Sequence, residues 1–170
     1  GLDAVVTNAA GCGSSLKEYH HLLAGDAAWH DRADAFRRRV KDLTELLAGT
    51  PGFCEGLSGR PGDRPVRVTF HDACHLAHAQ RITGAPRELV RRVAGENWVD
   101  LRESDVCCGS AGSYNLTEPA MAARLQRRKV ENILRTGAGI VVSTNPGCLL
   151  QIRAGLDQAG ATGIRTLHLA

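Results

Sequence analysis

Four of the six cysteines follow segments that read as β-strands, and their thiols are the groups of this chain best suited to holding a metal. Cys74, the adjacent pair Cys107 and Cys108, and Cys148 are separated by 32 and 39 residues. Because the carboxyl ends of parallel strands share one sheet edge, we expect these distant thiols to converge there. Cysteines in a chain without an export signal are more often metal ligands or redox groups than disulfides.

Four convergent thiolates fit an iron–sulfur cluster of the 4Fe-4S type, and they also fit a structural zinc site. Two features favour iron. The chain has no Cys-x2-Cys knuckle of the kind that zinc sites use, and adjacent cysteines suit several irons better than one tetrahedral ion. The remaining alternative, that Cys107 and Cys108 only pack beside a tight turn, leaves the positions of Cys74 and Cys148 unexplained.

The residues beside these cysteines suggest how a cluster is held. Gly109 begins a glycine-rich loop whose backbone can approach closely and direct N–H groups at anionic sulfur, which raises a reduction potential. His71, His75 and His78 flank Cys74. We favour hydrogen bonding of these histidines to cluster sulfur over direct ligation. We expect Asp72 to cap the following helix rather than to hydrogen-bond a histidine.

The elements that must position these residues alternate between strand and helix. Short apolar or alternating runs predict strands, and Ile140–Ser143 reads as one buried on both faces. Apolar residues spaced three and four apart predict helices that end near glycine. The alternation predicts an α/β fold with a parallel sheet. The predicted strands cover residues 4–7, 66–70, 98–101 and 140–143, and the predicted helices cover residues 29–47, a segment from Pro86, and 117–136.

One internal repeat is visible. Residues 4–12 align without a gap with residues 140–148, at a constant offset of 136, and share Val-Val and Gly-Cys. We interpret this as a duplicated unit. Residues 1–50 are then the C-terminal part of a first unit, the Gly- and Pro-rich residues 51–65 are a linker, and residues 66–170 are a complete second unit.

Charge and composition exclude several function classes. The net charge is +3, from 21 basic and 18 acidic residues, and the arginines are scattered, so nucleic acid is not an expected partner. No apolar run is long enough to span a membrane, and we expect a cytoplasmic protein. No nucleotide-binding glycine motif or Walker loop occurs, so a flavin or nicotinamide would belong to another chain.

Four stretches resemble a known family. They are FHDACHLAHAQ (70–80), ESDVCCGSAGSYNLTEPAMAARL (103–125), STNPGCLLQI (143–152) and NAAGCGSSLKEY (8–19). Together they resemble the cysteine-rich CCG-domain proteins, and within that family the C-terminal part of glycolate oxidase iron–sulfur subunits. The resemblance implies tandem parallel-sheet units, the tail of one CCG unit followed by a complete second one. It also implies a preceding ferredoxin-like domain, with Cys12 a metal ligand separated from its partners.

The function implied by the resemblance is that of a non-flavin subunit of an oxidoreductase complex. An FAD-containing partner would oxidise glycolate to glyoxylate, and the clusters would pass electrons toward a quinone-type acceptor, peripherally on the inner face of the membrane. Residues 1–170 alone would be inactive. The ligands would be Cys74, Cys107, Cys108 and Cys148.

Alternative functions stay open at this point. A relative serving lactate oxidation or heterodisulfide reduction fits the same resemblance, as does a zinc-stabilised or metal-free interaction module. Asn145 stands where the family pattern has the first cysteine of a Cys-x2-Cys pair. That departure counts against a non-cubane cluster of the heterodisulfide reductase type.

Overall fold

The computed structural model describes residues 1–58 and 65–170, so residues 59–64 of the predicted linker lie outside the described residues. The elements are β1 (Val5–Thr7), α1 (Ala10–Lys17), α2 (Tyr19–Leu22), α3 (His30–Arg39), β2 (Val40–Asp42), α4 (Leu43–Gly49), α5 (Phe53–Gly56), β3 (Val68–His71), a π-helical turn (His75–Ala79), α6 (Gly84–Ala94), a 3-10 turn (Gly95–Asn97), α7 (Tyr114–Thr117), α8 (Pro119–Thr136), β4 (Ile140–Ser143), α9 (Pro146–Gln158) and β5 (Arg165–His168).

Every strand pair within residues 1–58 and 65–170 is parallel, which confirms the predicted α/β class. One sheet joins β1 to β2, and a second has the order β3-β4-β5. The central strand β4 is covered on both faces, as its apolar sequence predicts. Val141 belongs to the core formed with α8 and α9, whereas Val142 packs on the opposite face with Phe70 of β3 and Val90 of α6.

The register of the larger sheet places three strand ends at the same level. His71, Ser143 and His168 are Cα partners across β3, β4 and β5, and each is the last residue of its strand. The segments that carry Cys74 and Cys148 therefore begin from one edge of the sheet. This is the convergence expected of parallel strands.

The predicted helix over residues 29–47 is wrong. The structure breaks it into α3, β2 and α4, because Val40 is extended and pairs with Val5 in the smaller sheet. Asp42 then starts α4 with a capping box, accepting from the Thr44 amide at 2.9 Å while Glu45 accepts from the Asp42 amide at 3.0 Å. The three- and four-residue spacing of apolar residues continues through β2, so this spacing does not reveal the break. Trp29, the first residue of the pattern, is half exposed.

The predicted strand over residues 98–101 is also wrong. Only one isolated bridge, between Val68 and Trp98, forms there. The Val99 carbonyl is taken by the Thr69 side chain, whose Oγ1 donates to it at 2.8 Å, so no ladder continues along the edge of β3. The other predicted strands correspond to β1, β3 and β4, and the last predicted helix corresponds to α7 and α8.

The two copies of the proposed repeat have similar local structure. β1 leads through a short loop into α1, β4 leads likewise into α9, and Cys12 and Cys148 are each the third residue of their helix. The duplication itself, and the division at residues 50 and 66, stay predictions. In the described part of the chain, no helix has both the length and the apolar character needed to cross a membrane.

Candidate metal centre

The four predicted ligands lie close together in the order Cys74, Cys107, Cys108, Cys148, which we call the row. Each thiol shifts the pKa of the next one in this order, and the ligand atoms of Cys108 and Cys148 also lie within 4.8 Å of each other. Cys74 and Cys107 are partly exposed, whereas Cys108 and Cys148 are 1% and 2% exposed. The row therefore runs from the surface into the core, and it unites cysteines from three separate segments.

The thiols in this row differ in their tendency to ionise. Hydrogen bonds from the Cys108 and Cys74 thiols lower the pKa of Cys107, and the Gly109 amide assists. The Cys108 thiol also lowers the pKa of Cys148, with a further contribution from His71. The pKa values of Cys74 and Cys108 are raised, in each case chiefly by the interaction with Cys107.

Adjacent negative charges in a buried site repel one another, so the four groups do not all become thiolates without an opposing charge nearby. Metal ligation requires all four groups as thiolates, and a cation supplies the opposing charge that permits this. The donor set fits an iron–sulfur cluster, because soft thiolates are the donors that such clusters take.

Gly109 lets the backbone turn sharply beside the cysteine pair. Its φ is +94°, a value that side-chain-bearing residues rarely adopt, and its amide donates to Cys107 Sγ at 3.3 Å. A Cβ at this position would overlap the backbone carbonyl oxygen of Ala122 in α8. The loop is therefore held against α8 closely enough that only glycine fits.

The three histidines that flank Cys74 have separate surroundings. His71 is fully buried, and its ligand atom lies with those of Cys108 and Cys148 in a group whose members are all within 4.8 Å of one another. His75 Nδ1 lies 3.6 Å from Cys74 Sγ. His78 is exposed, and its Nε2 lies 3.1 Å from the Asp105 carbonyl oxygen. Only His71 joins the buried end of the row.

The remaining cysteines lie outside the row. Cys12 is exposed on α1, which packs against the π-helical turn, and it is not part of the one potential metal-binding group found in the described residues. Cys54 is buried in α5. The structure therefore brings four of the five predicted metal-ligating cysteines together, and the ligand assignment stays a prediction.

Asp72 does not cap the following helix, contrary to the sequence-based expectation. The π-helical turn begins at His75, and no side chain caps its amino end. Asp72 instead accepts two hydrogen bonds from Arg87 of α6, at 3.1 and 2.6 Å, and Arg87 also donates to Ser104 Oγ at 2.6 Å. A sequence pattern carries no information about a partner 15 residues away, so this pair was not foreseen.

The Asp72–Arg87 pair ties the end of β3 to the segment that leads into Cys107. Asp72 is almost fully buried, and its amide also donates to the Ser104 carbonyl at 3.1 Å. Removing the arginine leaves a buried carboxylate without its counter-charge, so we expect Arg87→Met to reduce the free energy of unfolding by about 2–4 kcal/mol. Urea denaturation of the two proteins measures this.

Arg91 of the same helix provides the matched control for Arg87. Its partner Asp100 is 70% exposed, so Arg91→Met should cost less than about 1 kcal/mol. Equal losses for the two variants would contradict the structural role assigned to Arg87.

Lys129 is a buried charged residue, missed by sequence reasoning, that contacts the segment leading into the cysteine pair. It is 1% exposed, and its Nζ donates to the backbone carbonyls of Glu103 and Ser104, the latter at 3.2 Å. Burial lowers its pKa. A signal was present, because Lys129 falls on the same face of α8 as the buried Gln126 and Ile133, where a charged residue is unusual.

Glu103 anchors the other side of the same segment. Its carboxylate accepts from Arg128 at 2.8 and 2.6 Å and from Asn132 at 3.0 Å. The Arg128 hydrogen bonds, followed by that of Asn132, lower the pKa of Glu103 from 4.5 to about 2. Three side chains of α8 therefore hold the segment before the cysteine pair.

The lowered pKa of Glu103 predicts a dependence of stability on acid. A carboxylate with a depressed folded-state pKa stabilises the fold above its unfolded-state value, and this stabilisation is lost as pH falls from about 4.5 to about 2. We expect Glu103→Gln to lower Tm at neutral pH and to flatten its decline over that window. Glu131→Gln, which removes an exposed carboxylate 3.9 Å from Arg135, is the control, and parallel Tm profiles for Glu103→Gln and the unmodified protein would refute the prediction.

Comparison with known proteins identifies a matching domain family and several relatives of this chain. The cysteine-rich domain named CCG matches residues 68–153. A probable glycolate oxidase iron–sulfur subunit of Bacillus subtilis (strain 168) is 38% identical over 99% of this chain, and a glycolate oxidase iron–sulfur subunit of Escherichia coli (strain K12) is 37% identical over 97%. Lactate utilization protein A of Shouchella clausii (strain KSM-K16) is 29% identical over 99%. The chain spans 38% of the length of each of the first two relatives and 68% of the third.

Proposed function

This chain belongs to the CCG cysteine-rich domain family, and from that premise we propose that it is part of an iron–sulfur electron-transfer subunit of an oxidoreductase complex. Its centre is a 4Fe-4S cluster held by the row of thiols from Cys74 through Cys107 and Cys108 to Cys148. The observation that carries the proposal is this row, which starts at the partly exposed Cys74 and Cys107 and ends at the buried Cys108 and Cys148 beside His71. Such placement suits a redox centre, since burial and N–H donors set its potential while the exposed end shortens the path to a partner.

The finer proposal concerns the complex in which the subunit works. Two relatives carry glycolate oxidase in their names, which favours glycolate as the source of electrons. The flavin that such an oxidation needs would be FAD in a partner subunit. Electrons would leave toward a quinone-type acceptor, with the complex at the inner face of the membrane. Lactate is the competing substrate, because another relative is a lactate utilization protein.

A zinc-stabilised module is the second candidate, and the compactness of the site favours it. With zinc–sulfur bonds of about 2.3 Å, the ligands of a single tetrahedral ion lie about 3.8 Å apart. The ligand atoms of His71, Cys108 and Cys148 lie within 4.8 Å of one another, which is compatible with one ion. Metal analysis separates the two candidates directly.

The test is anaerobic reconstitution of the full-length chain with iron and sulfide, followed by metal and sulfide counting, visible absorption and EPR. The proposal expects a brown protein with bound iron and acid-labile sulfide, and a signal that appears or disappears on reduction. A colourless protein with one zinc per centre would overturn the electron-transfer function. Mixing the reconstituted chain with its flavin partner and either glycolate or lactate then identifies the substrate, by which of the two bleaches the cluster.

A further inference from the structure

His71 is set apart from the other histidines by its burial. Of the histidines in the described residues, it alone is fully buried, at 0% exposure. Its ring contacts the Cys148 thiol, yet neither Nδ1 nor Nε2 forms a hydrogen bond of ordinary geometry within residues 1–58 and 65–170. Imidazole presents a donor or an acceptor at each nitrogen, and buried polar groups in folded proteins are nearly always paired. A buried ring that lacks a well-formed hydrogen bond and has metal-binding thiols as neighbours therefore points to a partner outside the polypeptide.

The buried thiols show where that partner would lie. The ligand atoms of His71, Cys108 and Cys148 are all within 4.8 Å of one another. A tetrahedral metal bound by one nitrogen at about 2.0–2.1 Å and one sulfur at about 2.3 Å separates the two donors by about 3.6 Å. The observed grouping, with all three ligand atoms within 4.8 Å of one another, admits a metal ion between them.

Asn145 is not a competing ligand at the buried end of the row. Its Oδ1 accepts from the Gly147 amide at 3.2 Å and so caps the amino end of α9. His71 has no such commitment, and it ends β3 at the same level as Ser143 of β4. The strand register therefore holds the imidazole beside the first turn of α9, where Cys148 lies.

We propose that His71 is a ligand of the metal centre, binding through a ring nitrogen at its buried end beside Cys108 and Cys148. This inference rests on the proposed iron–sulfur function and extends it from an all-cysteine site to a mixed nitrogen and sulfur site. The cluster then has five protein donors for four irons, so one iron at that end takes two of them. Neutral imidazole adds no negative charge, so the centre holds a higher reduction potential than a thiolate at this position would give.

The experiment uses the full-length reconstituted chain in its paramagnetic state and measures nitrogen hyperfine coupling by pulsed EPR. We expect a strongly coupled nitrogen, which changes from the 14N to the 15N pattern when the protein is grown with 15N-histidine. His71→Cys should keep its iron, lose that coupling and shift to a lower reduction potential. His78→Gln, which changes an exposed histidine of the same segment, should match the unmodified protein in all three measurements.

The possible outcomes test the ligand assignment of His71 and the electron-transfer function separately. Bound iron and sulfide with only weakly coupled histidine nitrogen would overturn the ligand assignment and leave the electron-transfer function standing. An unmodified chain that takes up no iron would overturn both. The labelled wild-type measurement needs no variant, so the inference can be refuted even where a substitution at His71 prevents folding.

Discussion

Replacing Cys108 by serine is expected to leave the centre without its iron. Cys108 is the buried middle of the row, interacting with Cys107 on one side and Cys148 on the other, so its loss divides the site. Changes in groups that merely support metal ligands cost about 10- to 100-fold in affinity, and loss of a ligand is expected to exceed this. Iron content and visible absorption of the reconstituted Cys108→Ser protein measure the effect.

Cys54→Ser is the matched control for Cys108→Ser. Cys54 is also buried, at 9% exposure, yet it lies in α5 outside the row. The control should keep its full iron content and spectrum. An unchanged spectrum in Cys108→Ser, with the fold intact by circular dichroism, would contradict the assignment of this thiol as a ligand.

Gly109→Ala is expected to be the most destabilising single-methyl substitution at the centre. The added Cβ would meet the Ala122 carbonyl oxygen, which is backbone and cannot rotate away, at a φ of +94° that disfavours any side chain. Backbone strain and overpacking each cost about 1–3 kcal/mol, so we expect a loss of about 2–5 kcal/mol. The same shift moves the Gly109 amide away from Cys107 Sγ and should lower the potential of any cluster that forms.

Gly112→Ala separates backbone strain from overlap with α8 as causes of the lost stability. Gly112 lies in the same loop with a φ of +63°, and a Cβ there would meet nothing within 4 Å. It should therefore show the strain of the left-handed conformation alone, a loss of about 1–2 kcal/mol by urea denaturation. If the two alanine variants lose equal stability, the close approach to α8 is not what makes Gly109 necessary.

The ends of β3 and β4 show how much of the site the local sequence pattern predicts. The apolar runs before Cys74 and Cys148 predict β3 and β4, and parallel strands share their carboxyl edge, so the convergence of these cysteines was predictable. The helix over residues 29–47 was not a safe prediction, because Val40 and Leu43 keep the helical spacing while a strand and a capping box interrupt it. Periodicity reports which residues are buried, and a buried β2 satisfies the same pattern as a buried helix face.

Contacts between residues that are distant in the chain could not be predicted from local sequence patterns. Arg87 pairs with Asp72, and Lys129 binds carbonyls about 25 residues before it. The spacing of Lys129 in its helix indicates that it is buried, but it does not identify its partners, and the spacing of Arg87 does not identify Asp72. Both contacts arise because α6 and α8 pack beside the segment that leads into the cysteine pair. Such pairings depend on the geometry between elements, which a one-dimensional pattern does not specify.

By itself, the sequence determined that this protein has an α/β fold and that four cysteines follow its predicted elements, since residue type and period set local structure. Only the tertiary structure decided that the thiols form one row and that His71, rather than His75 or His78, lies at its buried end. The reason is physical. Neighbours along the chain share their local conformation, but contact between side chains depends on how separate strands and helices pack in three dimensions.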